Sequence, residues 1–280
     1  MTVTDPSPVI EVRNLRFSYG PGLPDVLKGI DLKVGAGEFV ALLGQNGAGK
    51  TTLAKHLNGL HRPTSGEVLL SGKPVSGQAL SAVARSVGYC YQNPDHQIFS
   101  PTVAKEVAFG PSNLGFPADE VERLVTHALE LVGIESLRAA HPFTLGRGQR
   151  QLVAVASILA MDPKILVIDE PTTGMDRKGA MAAMELLSRW AGEGRTILVI
   201  THDMDVVCEF IDRSIVMAGG RVLADGPTQE VFRQRSVLAE AHLVAPAPVT
   251  ISDRLREHGV PRASSVAGAA TQVLRALGRG

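Results

Sequence analysis

Between Val9 and Tyr19 apolar and polar residues alternate as they do along a half-buried strand, and after the break at Pro21-Gly22-Leu23-Pro24 the pattern resumes from Val26 to Val34. The two segments predict an antiparallel flap. Phe39-Val40-Ala41-Leu42-Leu43 is apolar throughout, as a buried strand is, and a glycine-rich turn separates it from a predicted helix over Thr52 to Leu60. Leu53, Leu57 and Leu60 would share one face of that helix, and Pro63-Thr64-Ser65-Gly66 would end it. Val68 to Leu70 and Ser86 to Tyr91 read as short strands.

Beyond this point the period changes. Val121, Leu124, Val125, Ala128, Leu129 and Val132 follow the spacing of an amphipathic helix, and no strand pattern is evident from about Val103 to Met161. A helical insertion within an α/β core is the expectation, spanning about residues 93–161. Ile165-Leu166-Val167-Ile168 then predicts a central parallel strand, Thr196 to Ile200 another, and Ser214 to Met217 with Arg221 to Ala224 a hairpin turned at Gly219-Gly220. Pro246-Ala247-Pro248 reads as a linker that ends a main domain of residues 1–245. In the remainder, 246–280, Val266, Ala270, Val273, Leu274 and Leu277 sketch one short helix, either a docking element or a frayed terminus.

Composition narrows the class. The 280 residues are 44% hydrophobic but only 4% aromatic, which suits an aliphatic α/β core. Basic and acidic residues number 28 each, so no net field draws the chain to nucleic acid or anionic lipid. Cys90 and Cys208 lack the spacing of a zinc or redox motif and read as small core residues in a reducing compartment. Met1 to Pro8 has no leader pattern, and the longest apolar run, Leu152 to Met161, is far short of the ~20 residues that span a bilayer. The expectation is a soluble protein, or one associated with a membrane only through a partner.

The candidate chemistry gathers at strand ends. Gly44-Gln45-Asn46-Gly47-Ala48-Gly49-Lys50-Thr51 has the spacing of a phosphate-binding loop. Its glycines would let backbone N–H groups turn onto phosphate oxygens, Lys50 would neutralise β/γ charge, and the Thr51 hydroxyl would ligate Mg²⁺. The following helix would aim its positive end at the same anion. A glycine-rich turn without ligand is the alternative, and the strand before and helix after argue against it. Asp169-Glu170 lies at the carboxyl end of a buried strand: Asp169 is placed as a second Mg²⁺ anchor and Glu170 to orient and deprotonate a water. Gln92-Asn93-Pro94-Asp95-His96-Gln97-Ile98-Phe99, a polar loop after a strand, is either a site loop or a solvated connector. His202 follows another strand, and Tyr19 at its turn either stacks on a base or is an ordinary strand-end tyrosine.

Together these residues resemble the ATP-binding cassette (ABC) family over roughly Val9 to Phe232. The resemblance implies a P-loop NTPase fold with an antiparallel β subdomain and an inserted α-helical subdomain. By it, Tyr19 stacks adenine, Gly44 to Thr52 is the Walker A loop, and Gln92 touches Mg²⁺ and the lytic water. Asp169 closes the Walker B strand, Glu170 is the general base, Thr173-Gly174-Met175-Asp176 is the D loop and His202 the switch histidine. Members work as head-to-tail pairs in which each nucleotide lies between one P-loop and the partner's signature helix. The family's signature reads Leu-Ser-Gly-Gly-Gln, whereas this chain has Leu145-Gly146-Arg147-Gly148-Gln149. Gly146 lacks the hydroxyl expected on the γ-phosphate, and Arg147 stands where a glycine permits close approach, a place from which its fork would suit phosphate.

The loop Gln92 to Phe99 and Thr172-Thr173-Gly174-Met175-Asp176 further resemble energy-coupling-factor (ECF) transporter ATPases of the cobalt and vitamin uptake type. That resemblance implies an ATPase on the cytoplasmic face of the cell membrane. Its partners would be a second cassette, the same or different, a transmembrane T component and a substrate-binding S component, without nucleic acid. Two other readings stay open: a soluble cassette ATPase acting on nucleic acid or ribosomes, and a low-activity regulatory cassette beside a different ATPase subunit.

Overall fold

The computed structural model describes residues 8–256 together with residues 268, 271, 272, 274 and 275. In chain order, β1 (Ile10–Phe17), β2 (Leu27–Val34) and β3 (Phe39–Leu43) lead into α1 (Lys50–Leu57), and β4 (Ser65–Leu70), β5 (Lys73–Pro74), α2 (Leu80–Ser86) and β6 (Val87–Cys90) follow. The helices α3 (Val103–Asn113), α4 (Ala118–Leu131) and α5 (Arg147–Leu159) pack on one another. The chain then alternates through β7 (Ile165–Asp169), α6 (Arg177–Gly192), β8 (Thr196–Ile200) and α7 (Met204–Phe210). The hairpin β9 (Arg213–Ala218) and β10 (Arg221–Pro227) precedes α8 (Thr228–Val231), α9 (Arg235–Glu240) and α10 (Ala247–Arg256).

Among the described residues the strands form two sheets, an antiparallel one ordered β2-β1-β4-β5 and a larger one ordered β10-β9-β3-β8-β7-β6. The larger sheet is parallel from β9 through β6, with β10 antiparallel at its edge. Its inner strands β3, β7 and β8 are apolar at every position except for Asp169 and Thr196 at strand ends, because both faces are covered. Val40, Leu42, Ile165, Val167, Leu198, Ile200, Ile215 and Met217 face the cluster shared with α1 and the antiparallel sheet. Ala41, Leu43, Leu166, Ile168, Ile197, Val199 and Val216 face the other way, onto the cluster that holds residues of α3 to α7. That two-residue period on opposite faces is what a doubly covered sheet requires.

Register places the site. Leu42 pairs with Ile200, Ile200 with Asp169, and Cys90 with Ile168, so the chain leaves β3, β8, β7 and β6 along one carboxyl edge. Gly44, Thr201, Glu170 and Gln92 emerge there.

Two expectations change, and a third falls largely outside the described residues. The first helix begins at Lys50 and stops at Leu57 instead of running from Thr52 to Leu60, because Gly59 turns into the left-handed region at φ 78°. Leu53 and Leu57 are fully buried, while Leu60 is 47% exposed. Replacing Leu57 with Ala should destabilise the fold by about 2–5 kcal/mol and Leu60→Ala by less than about 0.5, read by chemical denaturation. The stretch Pro246-Ala247-Pro248 is a helix start and not a linker. Proline is tolerated in a first turn, and Val249 of α10 is buried in the core. Of the expected terminal helix, Leu274 is helical and exposed, and Val266, Ala270, Val273 and Leu277 lie outside the described residues.

Candidate functional site

The turn between β3 and α1 closes on itself through Ala48 N–H, which donates to the Gln45 carbonyl at 3.2 Å, and is tied to the β9–β10 hairpin by Gly220 N–H on the Ala48 carbonyl. Gly49 caps α1 in the left-handed region at φ 100°, a conformation that lets the loop's N–H groups face inward. Lys50 is buried and its Nζ donates to the Gly44 and Gln45 carbonyls at 2.7 and 3.0 Å. Burial lowers its pKa, and the charges of Glu170 and Asp169 work against that shift.

Thr51 Oγ1 donates to Asp169 Oδ2 at 2.8 Å, which brings a hydroxyl and a carboxylate from two distant segments side by side. Tyr89 OH reaches the same oxygen at 3.4 Å. Burial raises the Asp169 pKa and the Glu170 charge adds to it, while the Thr51 hydrogen bond opposes both. A hard cation is the natural relief for such a carboxylate, and the two oxygens are the donor type that Mg²⁺ takes.

Glu170 holds a left-handed backbone, φ 54°, which disfavours any side chain by about 1–2 kcal/mol. The sheet enforces it: Glu170 N–H donates to the Ile200 carbonyl at 2.7 Å. Its two oxygens are held separately, Oε1 by His202 Nδ1 at 2.6 Å and Oε2 by Thr201 Oγ1 at 3.3 Å. The carboxylate is buried, whereas the His202 side chain is 71% exposed, so the imidazole bridges the buried carboxylate to the open face. Tyr19 also stays exposed. Its hydroxyl meets Thr52 Oγ1 at 3.0 Å, which places the ring beside the start of α1.

Gln92 is exposed at the start of its loop, and the loop is anchored onto α5. Gln97 Nε2 donates to the Ala154 carbonyl at 2.9 Å and Ser157 Oγ at 3.0 Å, and Asp95 pairs with Arg150 at 2.7 Å. The same helix begins with Gly146 as its cap, where Gln149 Oε1 accepts from Gly146 N–H at 3.2 Å. Asp176 caps α6 by accepting from Gly179 N–H at 2.7 Å. Gly146, Arg147, Gly148, Gln149 and Asp176 therefore line a cleft of about 660 Å³ with Gly174 and Met175. Gly44, Gln45, Asn46 and His202 line a different one of about 580 Å³. The chain brings Lys50, Thr51, Asp169, Glu170 and His202 to one edge and leaves the signature residues elsewhere.

Sequence reasoning missed four contributors. Thr201 and Tyr89 touch the acidic pair, and only their place beside the strand ends hinted at it. Gln97 was read as part of a polar loop without its anchoring role. The segment from His242 to Ala247 lines the same cleft as Gly44 to Asn46 and His202, and nothing local in its sequence signals that. Both cysteines are buried, and burial pushes the Cys90 thiol up to about 12, consistent with a packing role.

This geometry defines a P-loop nucleotide site on a parallel sheet. The ABC transporter family model matches residues 27–173. An energy-coupling factor transporter ATP-binding protein EcfA of Methanocaldococcus jannaschii is 48% identical over 240 residues, 85% of this chain and 86% of the relative. A putative ABC transporter ATP-binding protein of Methanosarcina acetivorans is 44% identical over 90% of this chain, which spans only 41% of that relative's length. Among solved structures, cbiO1 of Clostridium perfringens, described as part of the ABC transporter complex cbiONQ, superposes with a TM-score of 0.75 at 37% identity, covering 90% of this chain and 98% of that one. A cassette dimer, MJ0796 bound to ADP and Pi, gives 0.71 at 26% identity over 78% of this chain and 98% of that one. The chain belongs to the ABC transporter family, and its cassette is an ATPase.

Proposed function

We propose that this chain is the ATP-hydrolysing subunit of an ECF-type importer of a micronutrient. It would act at the cytoplasmic face of the membrane as a pair of cassettes with a transmembrane component and a substrate-binding component. The names of its relatives support the transporter type. No helix among the described residues is long and apolar enough to cross a membrane, so in this reading membrane contact is made through partners.

The observation that carries the reading is the separation of the two half-sites. Lys50, Thr51, Asp169, Glu170 and His202 gather at the carboxyl edge of the sheet, and the signature residues line a separate cleft. A second copy of the chain placed head to tail would set each signature over the other's P-loop. Lys50 then neutralises phosphate charge, and Thr51 with Asp169 and Gln92 would hold Mg²⁺, which when bound adds charge stabilisation at the β/γ oxygens. Glu170 keeps a lone pair on each oxygen after its contacts with His202 and Thr201, enough to accept a water proton. His202 orients that carboxylate. Tyr19 offers its exposed ring to the adenine.

The test is copurification from detergent-solubilised cells followed by a hydrolysis assay. The proposal expects an integral membrane protein in the complex and magnesium-dependent phosphate release. Recovery with RNA or ribosomes instead would replace the transporter assignment, and ATP binding with turnover only beside a second, different cassette would replace the identical pair.

A further inference from the structure

Arg147 is an unusual residue for its place. It opens α5, where the positive end of the helix disfavours a cation, and it stands where the family's motif has glycine. Its side chain crosses to the loop that follows the acidic pair. A Cβ built on Gly174 would stand 2.8 Å from Arg147 Cδ, 3.1 Å from Cγ and 3.2 Å from Nε, so the arginine stem lies directly against the Gly174 backbone. Gly174 has φ +81°, the left-handed region that leaves the face toward the arginine open. One residue further along α5, a Cβ on Gly148 would touch the Gly174 carbonyl and Met175 Cγ at 3.6 Å. Two consecutive residues of the signature helix thus abut the D loop.

That loop leads straight back to the catalytic base. Thr173 N–H donates to the Glu170 carbonyl at 3.3 Å and Met175 N–H to the Thr172 carbonyl at 3.2 Å, so two linked turns run from Glu170 to Met175. Asp176 then anchors the far end by capping α6. With both ends fixed, the Arg147 stem adds a lateral contact at the loop's middle, on Gly174.

We propose that Arg147 is a positioning residue, a strut whose aliphatic stem holds the D loop at Gly174 and couples the signature helix to Glu170. The inference rests on the paired-cassette reading above. In that pair the signature faces the partner's nucleotide and Glu170 serves the chain's own. Arg147 is then a physical link through which occupancy of one site biases the base of the other. The two nearest atoms, Cδ and Cγ, are methylenes and the third, Nε, is the inner edge of the guanidinium, so we assign the function to the stem and let the charge-free variant test it.

The experiment compares the full-length chain with R147A, which removes the stem but keeps a good helix former, and R147M, which keeps a stem and removes the charge. Hydrogen exchange is read first without nucleotide, and hydrolysis against ATP concentration second. In R147A, exchange at the Thr173 and Met175 amides, the two that are hydrogen-bonded across the loop's turns, should accelerate about tenfold, while R147M stays within about twofold of the parent. The Hill coefficient for ATP should fall to about 1 in R147A and be retained in R147M. Parental exchange in R147A overturns the strut, and so does R147M behaving like R147A, which would move the role to the charged fork. Because the exchange arm needs no nucleotide, it reads the strut even if the parent chain hydrolyses nothing, which would instead sink the ATPase assignment.

Discussion

Replacing Glu170 with Gln should leave ATP bound and slow hydrolysis about 10²- to 10⁴-fold, the range a positioned general base contributes. The substitution is nearly silent for the fold. Glutamine keeps an oxygen for the Thr201 hydroxyl and the same backbone demand at φ 54°, and the Ile200 carbonyl still takes its N–H. It is also gentle on the neighbouring groups. The Glu170 charge raises the Asp169 pKa, so its removal leaves Asp169 more readily ionised as a cation ligand. The Walker A lysine loses one of its two acidic neighbours, Asp169 remaining. Equilibrium binding of ATP and phosphate release measured on the same preparation separate the two effects. Full turnover in E170Q would remove Glu170 from its role.

A second large effect is expected at Gly44. Its φ of 148° is open to glycine, and a Cβ there would overlap the Met217 carbonyl oxygen and stand 3.2 Å from the Ala48 Cβ. Met217 belongs to β9, whose pairing with β3 leaves the carbonyl no room to retreat. Gly44→Ala should therefore cost about 3 kcal/mol or more in folding stability, from overpacking and backbone strain together, and should abolish ATP binding. Gly47→Ala is the control from the same loop. Its Cβ would meet nothing within 4 Å, so only the strain of φ +83° applies, about 1–2 kcal/mol. Thermal unfolding of the two variants with and without ATP reads the difference, and equal losses would contradict the packing argument.

The parts of this molecule that were legible in its sequence are those with a short-range physical cause. The P-loop was readable because glycines, a lysine and a threonine at fixed spacing follow from the backbone geometry a phosphate needs. The central strands were readable because a sheet covered on both faces leaves no polar position in Ile165 to Ile168 or Thr196 to Ile200 except at the ends. Asp169 and Glu170 stood out for the same reason, as charges ending an apolar run. Where the sequence misled, a local pattern continued past its structural limit. Leu60 extends the leucine spacing of α1, but the left-handed Gly59 had already ended the helix. α2 was missed because Val83 is its buried residue, too few for a stripe. Pro246 and Pro248 punctuate the chain equally well as a linker or a helix start, and the choice belongs to the burial of Val249.

Contacts between distant segments were not legible at all. His202 and Glu170 were each singled out, but the 2.6 Å pairing between them depends on β7 and β8 being neighbours. The wall from His242 to Ala247 depends on where α9 packs, and the Arg147 contact on how α5 meets the D loop. Such features are decided by tertiary packing, which no window of sequence contains.

The central claim is that one chain holds two half-sites and that ATP joins them across a pair. The most direct measurement is the molar mass of E170Q in solution, by size-exclusion chromatography with light scattering, with and without Mg²⁺ and ATP. The account predicts a mass of one chain, 29.6 kDa, without nucleotide and twice that once ATP is bound and cannot turn over. A chain that binds ATP and keeps the mass of a single copy would contradict it.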